Sequence, residues 1–191
     1  FSKKIGARDN VMYDNQTHGL LLIQVTRGFA IGNAIIGNSK GLFVYNSLYN
    51  EIKDNFIARN NLGLHYWGGA EENVIVGNAF LENEIQAKFV AARDQAWDGN
   101  YWSDYFGWDA DGDQIGDVPY RSNTLVDGLL WRYPMARLLL ASPAFQLLAL
   151  AERDFPVITV PKAVDRQPQL TLADPTWLAL LDQYPPRPKQ Y

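Results

Sequence analysis

Four pairs of asparagines recur in the first half of the chain, and this spacing constrains the fold more than any other feature. Each pair has an internal gap of five, and successive pairs lie 23, 22 and 23 residues apart. Self-similarity at a fixed period of this length is typical of solenoids. Apolar residues alternate with others between the paired asparagines, as they do in short strands bounded by turns. The pairs are Asn10 and Asn15, Asn33 and Asn38, Asn55 and Asn60, and Asn78 and Asn83.

A repeat of about 22 residues is too short for two helices and a turn, so strands must fill it. Stacked strands about 4.8 Å apart would form a continuous parallel sheet on each face. Asparagine suits the corners because it tolerates left-handed backbone angles and because stacked amides hydrogen-bond along the axis. The sequence therefore predicts an all-β fold: a right-handed parallel β-helix over residues 1–93, with a C-terminal helical and extended Pro-rich appendage.

Composition narrows the function classes. The 191-residue chain has a net charge of −4 and a pI near 5.1, and it has no basic stripe, so we expect no nucleic-acid partner. Cysteine is absent, which excludes disulfides, thiolate metal sites and cysteine nucleophiles. Because the sequence opens at Phe1 within repeat-like residues, we expect further coils before it or a partner that covers this end.

A block rich in acidic and aromatic residues follows over residues 94–128, and we expect it to close the β-helix. Its run DADGDQIGD places alternate carboxylates in a glycine-containing loop, as calcium loops do. The alternative is a solvated acidic turn tied by Asx hydrogen bonds, since Tyr120 stands where a calcium loop has a bidentate Glu. The predicted ligands of a structural calcium or magnesium ion are Asp109, Asp111, Asp113 and Asp117.

The order of these motifs resembles the C-terminal half of the NosD family. The resemblance covers nearly the whole chain and rests on the paired asparagines, then WDGNYWSDY, GWDADGDQIGDVPY and the Leu-rich RYPMARLLLASPAFQLL. It implies a non-enzymatic periplasmic protein that sits on the permease of an ABC transporter, whose ATPase drives it. It also implies delivery of copper to apo nitrous oxide reductase, with a copper chaperone as a further partner.

Few side chains here suit soft Cu(I), since the chain has two histidines, two methionines and no cysteine. His65 is the first candidate because Tyr66 and Trp67 would shield an ion from water. His18 is the second, with Met12 close enough in sequence to be a further ligand. We expect the two histidines on neighbouring faces about 10 Å apart, so each would need donors from a partner to bind copper. The alternative for each is a corner histidine that hydrogen-bonds its turn.

Residues 129–155 are expected to form a Leu-rich capping or docking helix. Ser142 would cap it and Pro143 would be its first residue. The uncharged stretch is shorter than the roughly 20 residues that span a bilayer. This helix either plugs the open end of the solenoid or docks on a membrane-embedded partner. Its candidate contact residues are Leu139, Leu140, Phe145, Leu147 and Leu148.

Residues 156–191 contain seven prolines and predict an extended tail. A short helix is expected over residues 175–183, with Asp174 as its cap. The tail would grip a partner through the apolar side of this helix, or it would pack as a strap on its own β-helix. The candidate partner contacts are Trp177, Leu178 and Leu181.

Two other functions fit parts of the sequence. Carbohydrate binding or processing would use Trp97, Trp102 and Trp108 to stack on sugar rings, with Asp98 and Asp104 as a carboxylate pair. The outward carboxylates of the coils do not repeat in one column, which disfavours a long catalytic groove. A surface adhesion module stiffened by calcium would use the same acidic loop.

Overall fold

The structure, a computed structural model, describes residues 2–90, 97–122, 129, 133–139, 142–154 and 163–185. Parallel strands dominate it, and the prediction of a parallel β-helix is confirmed. The helical elements are a 3-10 helix (Pro134–Leu139), α1 (Pro143–Asp154) and α2 (Trp177–Gln183). The strands are β1 (Ser2–Lys3), β2 (Gly6–Arg8), β3 (Val11–Tyr13), β4 (His18–Ile23), β5 (Val25–Thr26), β6 (Phe29–Ile31), β7 (Ala34–Ile36), β8 (Lys40–Tyr45), β9 (Glu51–Lys53), β10 (Phe56–Ala58), β11 (Leu62–Trp67), β12 (Val74–Val76), β13 (Ala79–Leu81), β14 (Ile85–Val90), β15 (Tyr101–Trp102), β16 (Tyr120–Arg121) and β17 (Val164–Asp165).

Three parallel sheets form the sides of the β-helix, and each coil adds one strand to each sheet. Sheet I contains β2, β6, β9 and β12, and sheet II contains β3, β7, β10, β13 and β15. Sheet III contains β4, β8, β11 and β14. Two further pairings are small: β1 pairs with β5 in parallel, and β16 pairs with β17 in antiparallel orientation. Four coils thus lie within residues 2–90.

The interior of the β-helix is filled by the inward-facing residue of each short strand. In sheet II one such column consists of Met12, Ile35, Ile57, Phe80 and Trp102, which occupy the same register position on successive strands. The last four of these are almost completely buried. Stacking of these apolar side chains produces a continuous core, as expected for a solenoid in which each coil packs only on its neighbours.

Asparagines line two corners of this prism as continuous hydrogen-bonded columns. In the first column, Oδ1 of Asn55 accepts from the backbone N (3.0 Å) and Nδ2 (2.9 Å) of Asn33. Nδ2 of Asn55 in turn donates to Oδ1 of Asn78 (2.8 Å) and to the backbone O of Ala30 (2.8 Å). The same contacts recur in the second column, which consists of Asn15, Asn38, Asn60 and Asn83.

The expectation that these asparagines adopt left-handed backbone angles is wrong. The positive φ falls on the residue directly before each one, for example 54° at Asp54 and 66° at Gly32. The asparagine is therefore selected by the hydrogen bonds of its side chain. The turn itself is made by the preceding residue, which is glycine in only some coils.

The first column continues beyond the predicted coil boundary at residue 93. Backbone N and Nδ2 of Asn78 both donate to Oδ1 of Asn100 at 3.0 Å, and β15 follows as a fifth strand of sheet II. A carboxylate ends the column, because the backbone N of Asn100 donates to Oδ2 of Asp165 at 2.9 Å. The aromatic and acidic block thus begins with a partial fifth coil.

The C-terminal tail packs on the outer face of sheet II. Trp177 of α2 lies over Phe56, with ring centroids 5.4 Å apart, and Leu181 is buried in the same apolar cluster. Nη1 of Arg59 donates to the backbone O of Leu181 at 3.4 Å. Of the two alternatives left open by the sequence, the described part of the tail is therefore a strap on its own β-helix.

Candidate functional site

The most unusual polar group on the β-helix is the imidazole of His65, on the outer face of sheet III. Its side chain is only 8% exposed although it points away from the core. The ring packs against Phe43, at 4.9 Å between centroids, and lies nearly parallel to Trp67 at 5.5 Å. Nδ1 is buried and has no hydrogen-bond partner among the described residues. Such an orphaned polar atom is rare in folded proteins, so this nitrogen is the first place on the β-helix to look for a ligand.

Electrostatics keep this imidazole neutral. Burial lowers the pKa of His65 from 6.5 to about 4, and the positive charges of Lys88, Lys40 and His18 act in the same direction. A neutral imidazole is the form that binds soft metal ions. The same lysines would repel a cation bound at this imidazole, so any metal ion here would need further donors from another molecule to offset their charge.

His18 lies on the same sheet as His65, which corrects the expectation of neighbouring faces. Both sit on sheet III, two coils apart, with Phe43 between them and 5.5 Å from the ring of His18. Burial and the charge of Lys40 lower the pKa of His18 as well. Met12 instead packs against the interior core cluster. The structure therefore groups His18 with His65 and does not place Met12 beside either.

Phe43 is the member of this group that the sequence interpretation missed. It occupies the same register position as His65 on the preceding coil, 22 residues earlier. Alignment of the coils on their asparagines would have placed the two rings together, because that alignment fixes which residues are stacked neighbours.

The acidic loop brings three of its four predicted ligands together. One carboxylate oxygen from each of Asp109, Asp111 and Asp113 falls in a group within 4.8 Å. Asp117 is not in this group, and its Oδ2 accepts from the backbone N of Ala110 in the same loop at 2.7 Å. The three clustered carboxylates are suited in kind and spacing to a hard cation such as calcium.

Backbone amides already satisfy several oxygens of that loop. Oδ1 and Oδ2 of Asp109 accept from the backbone N of Gly112 (2.7 Å) and Gln114 (3.0 Å). Desolvation acts to raise the pKa of Asp109, but these hydrogen bonds outweigh it and hold the pKa below its usual value. The amide of Asp113 acts to lower the pKa of Asp111, yet the negative charge of the Asp113 carboxylate helps to raise it on balance. A cation would relieve this repulsion.

The helical segment after residue 129 exposes much apolar surface. Leu138 is 80% exposed and Leu147 is 63% exposed, and Leu139 is also exposed. Phe145 and Leu148 are half-buried, and Leu140 lies outside the described residues. The helix α1 begins at Pro143, and Oγ of Ser142 accepts from the backbone N of Phe145 at 3.4 Å. Among the described residues, no helix has both the length and the apolar character needed to cross a bilayer.

The tail helix offers less free surface. It begins at Trp177 rather than at Pro175, and Oδ1 of Asp174 accepts from the backbone N of Thr176 at 2.9 Å. Trp177 and Leu181 contact the chain's own β-helix, as described above, whereas Leu178 is exposed. Of the three tail residues proposed as partner contacts, Leu178 alone is therefore open to a partner.

The aromatic residues of the carbohydrate alternative are mostly inside the protein. Trp97 and Trp102 are 0% and 2% exposed and belong to the core cluster. Trp108 is exposed. Oδ1 of Asp98 accepts from the backbone N of Arg166 at 2.8 Å, so this carboxylate fastens the tail. A sugar-binding surface would have to be built without the two buried indoles.

Fold and site together define a β-helix protein that carries an outward-facing but largely buried histidine among aromatic rings, and an exposed apolar helical segment. Residues 1–107 match the model of the NosD family, described as periplasmic copper-binding protein (NosD). The chain belongs to the NosD family, and the resemblance inferred from the sequence is confirmed.

Two curated relatives carry the name probable ABC transporter binding protein NosD. The protein from Pseudomonas aeruginosa is 41% identical over 189 residues, which cover 90% of this chain and 44% of the relative. The protein from Stutzerimonas stutzeri is 40% identical over 204 residues, which cover 97% of this chain and 46% of the relative. The chain thus spans less than half the length of each.

Proposed function

We propose that this chain is part of a non-enzymatic periplasmic protein that docks on an ABC transporter and helps to deliver copper to apo nitrous oxide reductase. The names of the two relatives support the transporter, and the description of the family supports copper and the periplasm. The resemblance noted from the sequence supplies the permease and its ATPase, nitrous oxide reductase and a copper chaperone as partners.

The observation that carries the proposal is the apolar surface of the helical segment. Leu138, Leu139 and Leu147 are all more than half exposed on two short helices. Exposed apolar surface beyond what a protein surface usually shows marks protein or membrane contact sites. Because the helices are too short to span a bilayer, a membrane-embedded permease reached from the periplasmic side is the partner that fits them.

His65 supports the copper part of the proposal. A neutral imidazole with an unpaired Nδ1 provides one donor, and Phe43 and Trp67 shield it from water. One imidazole in a cationic setting holds Cu(I) only weakly without further donors. That property suits an ion that is passed on to another protein. His18 is the second candidate donor, and calcium or magnesium at the acidic loop would be structural.

Co-purification tests the docking step. The complete protein is co-expressed with the permease and ATPase of its transporter, and the complex is isolated through a tag on the ATPase. We expect Leu138→Glu combined with Leu147→Glu to abolish recovery of the β-helix protein. Leu178→Glu is the matched control, since Leu178 is an exposed leucine on the tail helix. Full recovery of the double variant would contradict the proposal.

A further inference from the structure

Two large aromatic side chains project into solvent from the loop of residues 105–118, here called the aromatic loop. Phe106 is 93% exposed, more than any other large hydrophobic residue that the structure describes, and Trp108 is 63% exposed. Burial of an aromatic ring removes a large apolar area from water, so two such rings left outside on one loop are unusual. Exposed apolar surface of this kind marks a contact with another molecule.

Hydrogen bonds within the aromatic loop fix its shape. The hydroxyl of Tyr105 donates to the backbone O of Val118 at 2.6 Å and accepts from the backbone N of the same residue at 3.3 Å. A Cβ atom at Gly107 would overlap this hydroxyl, so only glycine lets the chain close around it. The backbone N of Asp117 donates to the backbone O of Trp108 at 2.9 Å. The backbone that carries both rings is therefore tied across the loop.

The C-terminal tail supports the aromatic loop from outside. The backbone N of Gly116 donates to the backbone O of Pro168 at 2.8 Å, and the backbone N of Leu170 donates to the backbone O of Gln114 at 3.1 Å. A contact surface that is ordered before binding loses less conformational entropy when a partner arrives. The loop thus presents its two rings on a preorganised framework.

The aromatic loop is also strongly negative. It contains four aspartates and no lysine, arginine or histidine. Like charges across an interface disfavour binding, whereas opposite charges favour it and steer association. A membrane surface with anionic head groups is therefore a poor fit. The aspartates, of which all but the first are exposed, are Asp109, Asp111, Asp113 and Asp117.

We propose that the aromatic loop docks on a soluble partner protein, with Phe106 and Trp108 entering an apolar pocket surrounded by lysine and arginine side chains. Aromatic anchors carry much of the binding energy of an interface, and complementary charges add specificity and a faster association. Membrane proteins concentrate lysine and arginine in their cytoplasmic loops, so the periplasmic side of a permease is not the surface expected here. This last step, and the probe used below, rest on the proposed function.

Binding of apo nitrous oxide reductase, the soluble enzyme of the proposed function, tests the inference. The complete protein is immobilised, and its affinity for the reductase is measured by biolayer interferometry in a low-salt buffer with EDTA, which keeps the loop free of calcium. We expect Phe106→Ala combined with Trp108→Ala to weaken the affinity about thirtyfold or more. Tyr49→Ala is the matched control, since Tyr49 is an exposed aromatic residue on a coil corner, and it should leave the affinity unchanged.

The charge of the loop gives a second measurement. Asp111→Asn combined with Asp113→Asn removes two charges, and Oδ1 of each asparagine can still accept the hydrogen bond that the aspartate accepts from the backbone N of Asp113 or Ile115. In the parent, the association rate should fall as NaCl is raised from about 50 to 200 mM, because salt screens the attraction. We expect a shallower salt dependence in the asparagine variant.

Parent affinity retained by the aromatic variant would overturn this inference alone. No binding by the parent would overturn it and also count against the reductase as a partner in the proposed function. An unchanged salt dependence in the asparagine variant would overturn the inference as well. So would binding to phosphatidylcholine vesicles that requires Phe106 and Trp108, since the loop would then contact a membrane. The aromatic variant should still be recovered with the transporter in the co-purification, which reports separately on that docking step.

Discussion

Trp102 lies flat on Phe80, with ring centroids 4.2 Å apart and ring planes 6° from parallel. Tyr120 covers the other face of the same indole, also at 4.2 Å. The three rings extend the apolar interior from the fourth coil through β15 to β16. The acidic and aromatic block is therefore partly core, which its composition alone would not suggest.

Replacing Trp102 should be among the most destabilising changes in the chain. Trp102→Ala removes a buried ring and leaves a cavity between Phe80 and Tyr120, which is expected to lower the free energy of unfolding by about 3–5 kcal/mol. Urea denaturation followed by circular dichroism measures the loss. Trp108→Ala is the control, since Trp108 is largely exposed. Equal effects of the two substitutions would show that Trp102 is not part of the core.

The asparagine columns predict an equally specific result. Asn55→Ala removes an amide that links Asn33 to Asn78 and leaves buried donors and acceptors unpaired on both neighbouring coils. We expect the free energy of unfolding to fall by about 2–4 kcal/mol. Asn61→Ala, at an exposed position one residue after the second column, should change it by less than about 0.5 kcal/mol. Thermal or urea unfolding of the two variants measures the difference in the free energy of unfolding. An effect of Asn55→Ala as small as that of Asn61→Ala would count against the column as a source of stability.

The lowered pKa of His65 makes stability depend on pH in one direction. Unfolded His65 takes up a proton near pH 6.5, whereas the folded side chain stays neutral until about pH 4. Its contribution to the free energy of unfolding is therefore complete above pH 6.5 and falls as the pH drops towards 4, by on the order of 2–3 kcal/mol. His65→Phe keeps an aromatic ring in the stack and should remove this part of the pH dependence. Urea unfolding at several pH values between 7 and 4 gives the difference, and parallel curves for parent and variant would exclude the effect.

Copper affinity should depend on His65 more than on either other candidate. A Cu(I) competition titration is expected to show affinity weakened about tenfold or more in His65→Ala, because the unpaired Nδ1 is lost. Met12→Leu should leave affinity unchanged, since Met12 faces the interior. His18→Ala should have a smaller effect than His65→Ala. Unchanged affinity in both histidine variants would remove these residues as copper donors.

The acidic loop is expected to bind calcium weakly. Three clustered, exposed carboxylates with much of their hydrogen-bonding capacity already used should give a dissociation constant of about 10⁻⁴–10⁻³ M. Isothermal titration calorimetry measures it, and Asp111→Asn should abolish the heat of binding. Magnesium serves as a comparison, because it demands a more regular octahedral shell. Absence of any calcium-dependent heat in the parent would contradict this prediction and support the alternative, an acidic turn held by its own Asx hydrogen bonds.

The coil architecture could be predicted from sequence because every coil repeats the same local contacts. The spacing of Asn33, Asn55 and Asn78 alone fixes strand register in three sheets. The asparagines at a third corner were not predicted. There the backbone N and Nδ2 of Asn50 donate to Oδ1 of Asn73. Only two coils carry asparagine there, so no period is visible in the sequence.

Contacts between distant segments could not be predicted in the same way. Asp165 lies 65 residues after Asn100, and no local pattern marks it as the residue that ends the column. The burial of His65 arises from Phe43 and Trp67 on an outward face, where alternation along the strand predicts exposure. Both features depend on which surfaces meet in three dimensions, and the periodicity of a single sequence does not contain that information.

The one-way order of donors and acceptors along the first corner has a consequence for how such proteins vary in length. A duplicated coil of 22 or 23 residues brings both an amide group that donates hydrogen bonds and an Oδ1 that accepts them. Such a coil can therefore be inserted or lost while the neighbouring asparagines keep their hydrogen bonds. An aspartate such as Asp165 cannot be an inner member of the column, because its carboxylate accepts hydrogen bonds but has no hydrogen to donate. Whole coils can therefore be added at any point before Asp165, whereas the hydrogen-bonded column ends at this residue.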